Sequence, residues 1–226
     1  MPLISPADQE RLREAFTDMP RPVGLLFFKQ TLDGQACLQT RQILDELPPL
    51  SDKITIEEVN FVLDREKVAQ YSIDRVPAIA VVDSEHRDSR IRFLGAPAGY
   101  EVVSLVQAIL LVGGRESDLS DANRARLAAV DRPTTMHVFT TPTCPHCPRA
   151  VSLAHEMAFA SPHVTAYAVE ATEFPDLARR YGVNGVPKTV VASRAGDGDV
   201  VEILGALPQD EYVQLALGIE PSGADA

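Results

Sequence analysis

The stretch that decides the fold runs His137-Val138-Phe139-Thr140-Thr141, then Pro142-Thr143-Cys144-Pro145-His146-Cys147, then on through Pro148-Arg149-Ala150-Val151 to Phe159. The opening residues suit a strand, and Cys147–Phe159 repeats apolar residues at helical spacing. A cysteine pair therefore sits where a strand hands over to a helix. Two thiols at this spacing on a helix start can approach within disulfide-bonding distance. The first also meets the positive end of the helix, which favours thiolate. Cys144 is then the exposed attacking sulfur, and Cys147, one turn inward, is the resolving one. His146, beside Pro145, can add a hydrogen bond or a positive charge. Stabilising the Cys144 thiolate stabilises the reduced form, so it makes the disulfide a better oxidant.

The flanking chain repeats. At a slide of 110 residues the halves align without a gap: Cys37 on Cys147, Tyr71 on Tyr181, Val76-Pro77 on Val186-Pro187, and Leu94-Gly95-Ala96 on Leu204-Gly205-Ala206. Glu101, Val103 and Leu105 fall on Glu211, Val213 and Leu215. Each half reads β-α-β-α-β-β-α. The first gives Val23–Phe28, Ala36–Leu47, Ile54–Val59, Arg65–Tyr71, Pro77–Val82, Arg90–Leu94 and Tyr100–Val112. The second gives His137–Thr141, Cys147–Phe159, Val164–Glu170, Pro175–Tyr181, Pro187–Ala192, Val200–Leu204 and Gln209–Leu217. A further helix precedes each, at Pro6–Phe16 and Leu119–Val130. This order implies an α/β fold, a mixed sheet with helices on both faces. The turn-formers Gly113–Ser117 mark a short boundary, so the halves are expected to pack together. The tail Glu220–Ala226 is expected to fray.

Composition narrows the function. The 226 residues are 45% hydrophobic and 23% charged, enough for two cores. A net charge of −11 argues against nucleic acid and against an anionic membrane surface. No run reaches the length of a membrane span. Met1–Asp8 has neither a basic start nor an apolar core, so the expected compartment is cytoplasmic. Three cysteines cannot make a disulfide framework. A zinc reading of the pair lacks its other half: Cys37 is the remaining cysteine, and His137, His155 and His163 show no paired ligand spacing. No metal is expected, and the absence of a G-x-G-x-x-G argues against a flavin of its own.

On Cys144-Pro145-His146-Cys147, Val186-Pro187 and the repeated Val76-Pro77, over nearly the whole chain, the sequence resembles the thioredoxin superfamily. It is most similar to the two-domain protein disulfide oxidoreductases of prokaryotes, also called glutaredoxin-like. The resemblance implies two tandem thioredoxin-like domains, 1–115 and 116–226, each a mixed central sheet flanked by helices. It implies exchange of the Cys144–Cys147 disulfide with protein thiols or disulfides, served by an upstream reductase or oxidant, with no cofactor. Pro187 and Pro77 would be cis. The Val186 backbone would meet an extended substrate segment, with Thr143 and Lys188 alongside.

The chain departs from that pattern in several places. Gly34 stands opposite Cys144, so the first half lacks a nucleophile and should be redox-silent. Cys37 reads as a small buried hydrophobe or as a redox-sensing thiol. Val138 occupies the place of the buried aspartate of many thioredoxins. Lys188 reads either as a solvated strand end or as a contact for an anionic group such as glutathione. Two other functions stay open. One is electron relay to a peroxidase, as in the N-terminal part of the flavoprotein component of alkyl hydroperoxide reductase. The other is a non-catalytic peptide-binding scaffold.

Overall fold

A computed structural model of the chain describes residues 4–30, 34–193 and 200–219; the tail 220–226 lies outside them. The first half runs α1 (Pro6–Thr17), β1 (Val23–Lys29), α2 (Gln35–Asp45), β2 (Ile54–Asn60), α3 (Arg65–Gln70), β3 (Ala78–Asp83), β4 (Asp88–Leu94) and α4 (Glu101–Val112). The second runs α5 (Asp121–Ala128), β5 (Thr134–Thr140), α6 (Cys147–Ala160), β6 (Val164–Glu170), α7 (Pro175–Arg180), β7 (Lys188–Ser193), β8 (Val200–Leu204) and α8 (Gln209–Ala216). Every expected element is present. β5 begins earlier than the sequence suggests, because parallel pairing with β6 already starts at Thr134 and Val164. The two threonines at its start hide the apolar period.

The strands form one eight-stranded mixed sheet in the order β2-β1-β3-β4-β6-β5-β7-β8. The halves do more than pack together: β4 and β6 pair in parallel, Ile91 with Ala166 through Leu94 with Val169. Side chains alternate across the sheet. Leu25, Phe27, Val138 and Ala168 face a core built with α1, α2, α4, α5, α6 and α8. Leu26, Phe28, Phe139 and Val169 face a second core reached by Tyr71 and Leu177 from the other side. Each core draws on both halves. Polar contacts cross the seam as well. The Arg90 guanidinium donates to the Ala158 and Ser161 carbonyls, each at 3.0 Å, at the end of α6. Arg75 pairs with Asp176 at 3.0 Å.

The repeat is not gapless. Phe28 pairs with Ala78 while Phe139 pairs with Lys188, so β1 corresponds to β5 at a shift of 111, not 110. The helices return to 110: Cys37, Thr40, Ile43 and Leu44 are buried on α2, as are Cys147, Ala150, Leu153 and Ala154 on α6. The strand-to-helix loop of the first half is therefore one residue longer, between Lys29 and Gly34. Strand pairing fixes register and leaves the loop to absorb the difference. The matches that set the ungapped slide all lie beyond this loop.

Glu101 is 3% exposed in the seam, and among the described residues neither carboxylate oxygen has a hydrogen-bond partner. Its equivalent at the free end of the sheet, Glu211, is exposed. Burial pushes the Glu101 carboxyl up to about 7. Its folded pKa is thus raised, so stability is fully present below the carboxyl's ordinary range and falls as pH rises towards about 7. The loss is on the order of 3 kcal/mol. Glu101→Gln should flatten urea-unfolding stability between pH 5 and 8. An unchanged slope would mean that another group titrates.

Gly34 precedes α2 in extended conformation, φ −72 and ψ 169, and a Cβ placed there meets nothing within 4 Å among the described residues. A cysteine fits without left-handed strain. Gly34→Cys in a Cys144→Ser/Cys147→Ser background should form a reversible intramolecular disulfide with Cys37, read by thiol counting after mild oxidation. Two thiols that persist in a folded protein would show that the first-half junction lacks the geometry of its counterpart.

Candidate functional site

β5 ends at Thr140, and its carbonyl accepts the Ala171 N–H at 3.0 Å. The chain then turns, with the Cys144 N–H donating to the Thr141 carbonyl at 3.1 Å. α6 follows with a proline in its first turn and His146 as N-cap, and among the described residues no side chain caps it. The orphan N–H groups of a helix start carry partial positive charge, here at the redox loop.

Cys144 and Cys147 are joined in a disulfide with Cα atoms 5.5 Å apart. That separation lies in the middle of the range a disulfide spans without backbone movement. Cys147 is fully buried, while Cys144 keeps 7% of its surface. The outer sulfur is thus more enclosed in the oxidised form than the sequence reading expects, although it is the reachable one of the two. Thr143, Pro145 and His146 form an exposed rim above it.

Val76-Pro77 and Val186-Pro187 are both cis. Phe139 pairs with Lys188, so the start of β7 lies beside the end of β5, where the redox loop departs. Pro187 is buried and its carbonyl accepts the Gly205 N–H at 2.9 Å. Val186 is half-buried, and among the described residues its backbone N–H and carbonyl take no partner. Next to them runs a groove of about 550 Å³ lined by Asn184, Gly185, Glu202 and Leu204, the last 67% exposed. A larger cavity, about 700 Å³, opens by Thr134 and Val200, at the opposite end of these strands, and plays no part in the site.

Lys188 corrects the sequence reading. It is neither solvated nor free for an anionic ligand, being only 4% exposed. Its ammonium donates to the Tyr181 and Gly182 carbonyls at 2.7 and 3.2 Å and pairs with Glu202 at 2.9 Å. A side chain spent on three acceptors ties β7 to β8 and to the end of α7. Cys37 is buried at 4%, in the core under α2. Among the described residues no group of His, Cys, Asp and Glu has the arrangement of a metal site. His155 is wholly buried edge-on to Phe93, and burial pulls its pKa down to about 3. His137 stacks against Tyr167 and Tyr181, with its pKa lowered by burial to about 4. Both are neutral packing residues near pH 7. Among the described residues, no helix is long and apolar enough to cross a membrane.

Sequence reasoning missed Glu101, which lines a small pocket with Thr140, Ala168 and Glu170. Its one signal was its match with Glu211 in the repeat, which reveals position but not burial.

Residues 134–217 match the thioredoxin domain family. The F subunit of alkyl hydroperoxide reductase in Escherichia coli (strain K12) is 25% identical over 233 residues, covering 96% of this chain and 42% of its own length. This chain thus spans less than half of that relative. Among solved structures, the NTD_N/C domain of alkylhydroperoxide reductase AhpF in Enterococcus faecalis (V583) superposes with a TM-score of 0.84 at 27% identity, over 93% of this chain and 98% of that one. A protein disulfide oxidoreductase from Aeropyrum pernix K1 gives 0.83 at 27% identity, over 95% and 92%. In its fold and in the cysteine pair at its strand-to-helix junction the chain is similar to thioredoxin-like oxidoreductases, with the thioredoxin-domain match itself confined to residues 134–217.

Proposed function

We propose that the protein is a cytoplasmic thiol–disulfide oxidoreductase that passes two electrons between the Cys144–Cys147 pair and cysteine pairs of protein partners. The observation that carries this reading is the disulfide itself, at the strand-to-helix junction and with Cys144 less enclosed than Cys147. In the reducing direction the Cys144 thiolate attacks a partner disulfide and displaces one partner thiolate. Cys147, deprotonated, then attacks the Cys144 sulfur. The mixed disulfide breaks, the second partner thiolate leaves, and the enzyme disulfide re-forms. The partner gains two electrons and two protons. The opposite direction reverses each step.

An extended partner segment would add to the Val186 backbone as a strand does, with Thr143 and Pro145 on the rim. Cys147 is buried, so its proton needs an internal acceptor. Val138 cannot serve in that role. Residues 1–115 and 116–226 act as a silent and a redox-active unit. The occupied Lys188 argues against glutathione as the preferred partner. A second reading, electron relay to a peroxidase, is favoured by the alignment of 96% of the chain with the F subunit of alkyl hydroperoxide reductase.

Cys144→Ser should reduce insulin-disulfide cleavage to the uncatalysed rate, whereas Cys147→Ser should accumulate mixed disulfides through Cys144. Trapping by Cys144→Ser instead would reverse the assignment. A thiol peroxidase among the trapped species, reduced by the parent protein, would select the relay reading. His146→Gly should raise the Cys144 thiol pKa and make the disulfide less oxidising, by roughly 30 mV per pKa unit. Thiolate absorbance against pH reads the first effect, and an unmoved titration would leave His146 a bystander.

A further inference from the structure

We infer that the backbone of Gly99 and Tyr100, in the redox-silent half, is a positioning element for the redox pair of the other half. The inference rests on the reading of Cys144–Cys147 as that pair.

Three observations converge on Pro142, two residues before Cys144. The Tyr100 N–H, at the start of α4, donates to the Pro142 carbonyl at 2.9 Å. Gly99 has φ +59, a left-handed conformation that favours glycine. A Cβ on Gly99 would fall against the Pro142 carbonyl oxygen and lie 2.9 Å from its carbon and 3.1 Å from its Cβ. Backbone thus lies directly on backbone, at an approach that no side chain permits.

The contact completes a series along the loop. The Thr140 carbonyl is held by the Ala171 N–H, the Thr141 carbonyl by the Cys144 N–H, and the Pro142 carbonyl by the Tyr100 N–H. Of these tethers, the last comes from outside the half that carries the cysteines. It spans the seam and bears on the turn that sets Cys144 against α6. Helix α4 is itself anchored, since Leu105, Ile109 and Val112 are buried in the shared core. The loop is therefore pressed against a fixed surface.

Ring closure between two thiols depends steeply on how they are held, because a misplaced pair must be ordered before it can bond. The pull of the helix start on a thiolate changes more gradually with position. Loosening the clasp should therefore act chiefly on the closure. The disulfide becomes easier to reduce, and its re-formation slows.

The test equilibrates full-length parent and variants with mixtures of reduced and oxidised dithiothreitol, then counts thiols by mass after acid quench and alkylation. The dithiothreitol supplies the electron pair and is itself oxidised to the cyclic disulfide. Gly99→Ala drives the loop away. Tyr100→Pro deletes the donor at a φ of −63 that suits proline. Each should shift the dithiol-to-disulfide constant about tenfold towards dithiol. Tyr100→Ala keeps the N–H and should shift it by much less. Gly114→Ala, strained at φ +110 against Pro20 on the boundary turn, should lower stability and leave the constant within twofold of the parent.

A constant within twofold of the parent in folded Gly99→Ala and Tyr100→Pro overturns the inference. A shift towards disulfide, an equal shift in Tyr100→Ala, or failure of both clasp variants to fold does so too. The last outcome would make the contact a folding requirement. If the parent itself shows no reversible exchange, the underlying functional reading fails instead, and the two failures are distinguishable.

Discussion

The parallel pairing of β4 with β6 is the interaction on which the rest of the structure depends. A sheet edge exposes unpaired N–H and carbonyl groups, which are costly to bury without partners. Here the last strand of one repeat and the second strand of the next satisfy each other. The sheet continues, both cores run across the join, and helices α4 and α6 are brought side by side over it. Several contacts that the two halves do not share border this seam. Glu101 lies in it, Gly99 and Tyr100 reach across it, and Arg90 caps α6 through it.

Equivalent positions of the repeat therefore meet different surroundings at the two ends of the molecule. Glu101 and Glu211 hold the same place in the repeat. One is walled in by the neighbouring half, and the other faces solvent at the edge of the sheet. Val103 and Val213 invert the pattern, the first half exposed and the second fully buried. The first half is structural support for the second. It supplies a sheet edge, a helix face and a buried carboxyl that a single unit of this chain would lack.

The order of elements was legible in the chain because it rests on local signals. Apolar runs such as Val23–Phe28, the helical spacing after Cys147, and the recurrence of Val-Pro and Leu-Gly-Ala each identify an element by itself. The cysteine pair was legible for the same reason. The extra residue between Lys29 and Gly34 was not, because only strand pairing reveals where a register slips. The fate of Lys188 was hidden too. A lysine opening a strand looks solvent-facing until the Tyr181 and Gly182 carbonyls and Glu202 close around its ammonium. The seam itself lay beyond sequence reading, since nothing in β4 or β6 alone specifies which edge will meet which.

The central claim is that the Cys144–Cys147 disulfide is a working redox couple rather than a staple. Its geometry is that of a pair poised at a helix start, with one sulfur reachable and the other fully enclosed. The reduction potential of the folded parent, taken from its equilibrium with a thiol redox buffer, tests this most directly. The account predicts reversible two-electron behaviour between about −270 and −120 mV, the span of catalytic dithiols. A potential below about −300 mV, the range of structural disulfides, would contradict it.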